Sequence, residues 1–278
     1  MKNMLTLYIN WNIDPEIFRL GGFALRYYSL LFALAFLLGY WLMKKMFVRE
    51  SMPEELLQPL LIYIVVATVI GARLGQTLFY EFDYYKNHPL EIVLPFRVIN
   101  GSFEWTGYQG LASHGGAIGI LAALALFARR YKIPFLWIAD RLVIAVALGG
   151  FFIRLANLFN SEIIGKPTSA PWAFIFERID PFPRHPAQLY EALAYLLIFA
   201  FLFISYRKSR GQRRGYLLGL FLIFIFLTRF AIEFTKEAQE AFEKAWLLNM
   251  GQILSIPFVL LGFYLVFQAA PAEKSQIH

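Results

Sequence analysis

The chain contains no cysteine, which excludes a disulfide framework, a thiolate metal site and a cysteine nucleophile of its own. Charge is scarce as well: Asp, Glu, Lys and Arg make up 16% of the 278 residues, against roughly 25% in soluble proteins. That shortage argues against soluble domains of the length this chain would allow. The net charge of +7 is compatible with a nucleic-acid binder, but no basic stripe interleaved with stacking aromatics runs through a polar segment, and no nucleic acid is expected as partner. The four histidines lack helical ligand spacing and no nucleotide-binding motif occurs, so neither a metal nor a cofactor is expected. Residues 1–20 lack the basic start and small-residue cleavage site of a secretory signal, which leaves the spans themselves to direct insertion. Without repeats, low-complexity tracts or long linkers, residues 1–278 are expected to form one membrane-embedded domain, with 271–278 as a disordered tail.

What is present is apolar: 59% of residues are hydrophobic and 18% aromatic. Seven stretches of about 20 residues are long enough to cross a bilayer as helices. They are residues 23–43, 57–80, 110–127, 134–158, 186–206, 215–235 and 246–268, and they predict an all-α integral membrane protein. Lys44, Lys45 and Arg49 follow the first span, Arg129, Arg130 and Lys132 the third, and Arg207, Lys208, Arg210, Arg213 and Arg214 the fifth. The excess of cations places these loops in the cytoplasm. The N-terminus then lies outside, and the C-terminus inside.

Given that topology, the polar residues within spans cluster at one depth. Tyr28, Arg73, His114, Arg154, Asn157, Glu162, Gln188, Tyr190, Glu191, Arg229, Glu233 and Gln252 all fall in the outer half, whereas the inner half holds little beyond Asp140 and Arg141. Ionisable groups in hydrocarbon are costly, about 2.5–3.5 kcal/mol each on insertion scales, so their gathering marks an outward-facing site or a set of mutual partners.

The densest stretch is 154–165, where Arg154, Asn157, Asn160, Glu162 and Gly165 follow one another as a span should end. Arg154 and Asn157, three residues apart, share a helix face. An Arg fork matches phosphate oxygens and Asn can orient a hydroxyl, while the plainer reading is a snorkelling Arg with an interhelical Asn. Ser113-His114-Gly115-Gly116 sets an imidazole suited to general base work beside glycines that let a substrate near the backbone; close helix packing is the alternative. Arg229 and Glu233, four apart, are either a self-neutralising pair or a carboxylate holding a second cation for an anion. Arg73 in Gly71-Ala72-Arg73-Leu74-Gly75 would be a third cation or an interfacial anchor. Gln188 and Glu191 share a face in His185-Pro186-Ala187-Gln188-Leu189-Tyr190-Glu191, where capping and interhelical bonding explain them at least as well as catalysis.

These stretches, together with Leu25-Arg26-Tyr27-Tyr28-Ser29-Leu30, Arg229 to Phe234 and Asn249 to Pro257, resemble the bacterial prolipoprotein diacylglyceryl transferases over nearly the whole chain. Singly they are weak; seven in order are specific. The chain departs from the family pattern at Ala72, Ile153, Ala156, Leu158 and Ile225, none of which removes a charged group. The resemblance implies a multi-pass enzyme of the bacterial plasma (inner) membrane with its site toward the outer leaflet and periplasm. It implies transfer of diacylglyceryl from phosphatidylglycerol to the lipobox cysteine of a preprolipoprotein signal peptide, with release of glycerol phosphate. It marks Tyr28, His114, Arg154, Asn157, Glu162, Gly165, Arg229 and Glu233 as functional. On this basis His114, Arg154 and Arg229 are the expected catalytic residues: His114 as base, and the two arginines on the phosphate. Tyr28, Arg73, Gly115, Asn157, Glu162, Gly165 and Glu233 are the expected lipid-binding set, with Glu162 and Glu233 orienting the arginines. A lipid or anion carrier, or a receptor, is the competing reading; the absence of an inverted repeat and the one-sided depth of the polar groups weigh against a carrier.

Overall fold

The computed structural model describes residues 8–21, 23–94, 96–99, 102–105, 112–208, 213–237 and 248–269. The ends of the third and seventh predicted spans, at 110 and 246, and the expected tail 271–278 lie outside these residues. In order, the elements are β1 (Ile9–Trp11), β2 (Glu16–Leu20), β3 (Phe23–Arg26), α1 (Tyr27–Arg49), a 3-10 turn (Glu54–Leu56), α2 (Leu57–Phe79), α3 (Phe82–Tyr85), α4 (Leu90–Val93), β4 (Phe96–Ile99) and β5 (Ser102–Trp105). Then follow α5 (Ser113–Arg130), α6 (Phe135–Phe159), β6 (Phe174–Phe176), β7 (Pro183–Arg184), α7 (Ala187–Arg207), α8 (Tyr216–Glu233) and α9 (Met250–Gln268).

Among the described residues, six of the long helices are apolar and long enough to cross a membrane, as a multi-pass membrane protein requires. The third predicted span is a helix too, but α5 is not among those six: its 18 residues open on Ser113-His114 and close on Arg129-Arg130. The first span begins four residues later than predicted because Phe23–Arg26 pairs antiparallel with Glu16–Leu20. That hairpin, and the other short strands between helices, lie beyond what helical periodicity could show.

The chain gathers into two compact units, residues 1–46 with 139–278, and residues 47–138. In the second, α2 and α5 pack backbone to backbone. Gly71 and Gly75 face Gly115 and Gly119, and a Cβ added at Gly115 would lie 2.7 Å from the Gly75 Cα. Small residues four apart on both helices permit this approach. The Ala112 amide donates to Ala72 O at 3.0 Å beside the same crossing.

In the first unit, Asp140 of α6 caps the neighbouring helix α8. Its carboxylate accepts from the amides of Gly215 at 2.7 Å and Leu218 at 2.8 Å, groups a helix N-terminus leaves without intrahelical partners. Gly215, at φ 85°, makes the left-handed entry that glycine tolerates best. The pair Gly219 and Gly262 brings α8 and α9 together, with Phe226 stacked on Phe258 at 4.4 Å.

At the other end of α6, β1, β6 and β7 form a small sheet. Its buried face, Phe174 and Phe176, packs with Leu158 of α6, and Trp11, Ile164 and Leu189 close around them. The Trp11 indole donates to Leu158 O at 3.0 Å, and Tyr27 stacks on Phe159 at 4.3 Å. This cluster fixes where α6 ends, and so where its polar stretch begins.

Candidate functional site

The end of α6 has a defined stop. Ser161 and Ile163 take positive φ, 55° and 56°; the Ser161 amide reaches Leu158 O at 3.0 Å and the Glu162 amide reaches Asn157 O at 2.9 Å. This is a Schellman termination with serine where glycine is usual. It folds the chain back so that Glu162 meets the last turn of its own helix.

The side chains follow from that turn. Arg154 Nη1 donates to Asn157 Oδ1 at 3.0 Å, Asn157 Nδ2 to Glu162 Oε2 at 3.1 Å, and Asn160 Nδ2 to Glu162 Oε1 at 3.1 Å. Glu162 therefore reaches Arg154 through Asn157. Arg154 Nε lies 2.8 Å from Glu191 Oε2 on α7, and Arg154 also acts electrostatically on Tyr195, likewise on α7. Tyr195 packs its ring where Gly150 leaves room, a Cβ there falling 2.8 Å from it. Tyr28, half-buried at the start of α1, feels the charges of both Glu162 and Arg154.

Glu191 is completely buried and shared. Its Oε1 accepts from Lys236 Nζ at 2.8 Å, and the same ammonium lies 3.3 Å from Glu233 Oε2. Glu233 sits against Gly251, at which a Cβ would come 2.8 Å from the carboxyl carbon. Asn249 and Gln252 cap α9 reciprocally, at 3.0 and 3.1 Å, and Gln252 donates to Phe230 O at 3.3 Å.

Gly165 joins three segments. It bridges Lys236, its amide donates to His185 O at 2.9 Å, and Lys166 donates to Thr235 O at 2.8 Å. A Cβ on Gly165 would come 2.6 Å from His185 Cβ and 2.7 Å from the carbonyls of His185 and Thr235. Outside the spans, Arg184 pairs with Asp180 and, at 2.7 Å, with Glu237. The Arg184 bonds hold the Asp180 carboxyl below its usual range and raise Arg184, while burial lowers His185.

Of the predicted residues, Tyr28, Arg154, Asn157, Glu162, Gly165, Arg229 and Glu233 all belong to the first unit, and Arg154, Asn157 and Glu162 form one bonded chain. Glu233 is engaged by Lys236. Arg229, half-buried, makes no ion pair among the described residues and acts electrostatically on Tyr195. His114, Gly115 and Arg73 belong to the second unit. The His114 side chain is exposed. Gly115 is spent on the α2 contact, which is the packing reading of that motif. Arg73 is buried, donating from Nε to Ile92 O at 3.0 Å and from Nη2 to Glu91 O at 2.6 Å, with Tyr85 beneath its guanidinium at 4.9 Å. It holds the segment after α2.

Sequence reasoning passed over two residues. Glu191 was visible as a face-mate of Gln188 but equally explicable as a helix-to-helix bond. Lys236 falls just past the predicted span 215–235, although Arg229, Glu233 and Lys236 continue one i, i+4, i+7 stripe that draws it in.

A family model described as prolipoprotein diacylglyceryl transferase matches residues 15–268. Similar proteins named phosphatidylglycerol–prolipoprotein diacylglyceryl transferase come from Tolumonas auensis, 49% identical over 96% of this chain and 99% of its own, and Chloroherpeton thalassium, 47% identical over 96% and 98%. A third, from Bacteroides fragilis, is 46% identical over 95% and 96%.

Proposed function

Because the chain belongs to the prolipoprotein diacylglyceryl transferase family, we propose that it moves the diacylglyceryl group of phosphatidylglycerol to the lipobox cysteine thiol of a preprolipoprotein signal peptide. The reaction makes a thioether. Sulfur bonds to the terminal glycerol carbon, the bond from that carbon to the phosphate oxygen breaks, and glycerol phosphate leaves with the electron pair. The thiol proton passes to a base.

The observation that carries this reading is the Arg154 arrangement: a guanidinium in a spanning helix, held by Asn157 at 3.0 Å and Glu191 at 2.8 Å, with N–H groups left over for an anion. Fixed donors in a low-dielectric site stabilise charge as it develops on the leaving phosphate, and losing such a donor costs about 10²–10³ in rate. Arg229, without an ion pair among the described residues, is the second cation for the phosphate. Tyr28 and Asn157 orient the headgroup, and Glu162 steadies Asn157. Gly165 shapes the wall behind them. A thiol of pKa about 8.5 is mostly protonated at neutral pH, and the His114 imidazole is assigned its proton. Arg73, occupied by backbone carbonyls, and Gly115, occupied by α2, are assigned to scaffold rather than to lipid.

The same reading makes residues 1–278 one membrane-embedded transferase domain of the bacterial inner membrane, α5 the third of its seven spans, and the Arg154 end of α6 its periplasmic side. Purified protein incubated with phosphatidylglycerol and a lipobox peptide tests it. Glycerol phosphate is expected only when both substrates are present, and none with a peptide whose cysteine is replaced by serine. Absence of release with the native peptide overturns the assignment.

A further inference from the structure

Arg154, Glu191, Lys236 and Glu233 form an alternating chain of charges from three segments of the first unit: α6, α7, and α8 with the turn that follows it. The contacts run Arg154 Nε to Glu191 Oε2 at 2.8 Å, Lys236 Nζ to Glu191 Oε1 at 2.8 Å, and Lys236 Nζ to Glu233 Oε2 at 3.3 Å. The arginine is the most accessible of the four and Glu191 the least. The Arg154 side chain is 19% exposed, Glu191 0%, Lys236 5% and Glu233 7%. The carboxylate that grips Arg154 is therefore out of ligand reach, while the arginine is not.

The grip also has a direction. Glu191 Oε2 pairs with Nε as a close ion pair and Asn157 Oδ1 accepts a hydrogen bond from Nη1, so the guanidinium is held from two sides. A carboxylate with no second cation could approach Arg154 in many ways. Here Lys236 holds the other oxygen, and Lys236 is itself tied through its backbone bridge to Gly165.

We infer that Glu191 is a positioning residue for the transfer reaction, and that Lys236, braced by Glu233, keeps its carboxylate in the orientation that aims Arg154. This rests on the reading of the chain as a diacylglyceryl transferase. It gives Glu233 a different task from pairing with Arg229: Glu233 acts on Arg154 at two removes, through Lys236 and Glu191.

The test is a double-mutant cycle in kcat/KM for phosphatidylglycerol, using Glu191→Gln, Arg154→Lys and the double variant in detergent, with the melting temperature of each measured alongside. Lysine cannot use a guanidinium geometry, so aiming it has little to act on. Glu191→Gln is expected to lower kcat/KM about tenfold or more in the native background but under about threefold in the Arg154→Lys background, a coupling that marks shared function. Glu191→Asp keeps the charge but shortens the reach, and is expected to show a smaller loss of the same kind; it serves if the glutamine variant does not fold. Lys236→Arg, which keeps a cation in place, is expected to restore most of what Lys236→Met loses. Native-like kcat/KM in folded Glu191→Gln or Glu191→Asp, or losses that simply multiply across the cycle, overturns the positioning role while leaving the transferase reading intact. A native protein without turnover overturns both.

Discussion

The Nη1 group of Arg154 donates to Oδ1 of Asn157 across 3.0 Å, one turn along the same helix. The arginine is thus partly oriented by its own helix before any other element is added. Asn157 in turn is held by Glu162 at 3.1 Å, so the amide has both its ends committed and cannot flip without breaking a bond.

Replacing Asn157 by alanine releases one side of that guanidinium. A rate loss of about 10–100-fold is expected from misplacement alone, with little change in melting temperature. Asn157→Asp sets a carboxylate beside Glu162 and is expected to destabilise the protein as well. Initial rates and thermal melts of the two variants separate the effects.

Gly165 has no room for a methyl group, with His185 and Thr235 at 2.6–2.7 Å from where a Cβ would stand. Gly165→Ala is expected to cost about 1–3 kcal/mol of stability through this overpacking. It is also expected to lower activity per folded molecule, because the displaced segment bridges Lys236. Melting followed by tryptophan fluorescence, with activity normalised to folded protein, checks both.

Arg73 tests the division between scaffold and site. Its bonds to Ile92 O and Glu91 O mean that Arg73→Ala leaves two carbonyls without that donor, at about 1–3 kcal/mol for a buried group left unsatisfied. The expected result is a lower melting temperature with KM for phosphatidylglycerol unchanged. A raised KM with native stability would assign Arg73 to the lipid instead.

The extramembrane connection between α6 and α7 should be acid-labile in two steps. His185, lowered by burial, contributes stability that is present above its unfolded value of about 6.5 and lost as pH falls from there through the folded value. Asp180, lowered by its bonds to Arg184, contributes stability present above about 4 and lost only in stronger acid. Trp172 in this connection is 57% exposed and bonded to Tyr190. Its fluorescence is expected to report a first loosening below neutrality that His185→Asn removes, and a second, below pH 4, that Asp180→Asn removes.

Much of this was legible in the sequence for identifiable reasons. Helical period put Arg154 with Asn157, and the structure bonds them. Apolar length gives the cores of the predicted spans, although the first of them includes Phe23, and the hairpin with Glu16–Leu20 delays the helix to Tyr27. What depends on a turn or a tertiary meeting was not legible. Glu162 returns to Asn157 only because Ser161 adopts a left-handed backbone, which serine seldom signals. Glu191 and Lys236 are 45 residues apart and meet only when α7 and the end of α8 pack. The partners of Arg73 come from a short helix that no span-finding pattern predicts, and Gly115 could equally have faced a ligand or a neighbour until α2 was seen to occupy that side.

The central claim is that the guanidinium of Arg154 stabilises the departing phosphate, and the rate of Arg154→Ala tests it most directly. With phosphatidylglycerol and lipobox peptide both saturating, glycerol phosphate release from folded Arg154→Ala is expected to fall by about 10²-fold or more relative to the native protein. A rate within about threefold of native would contradict the account.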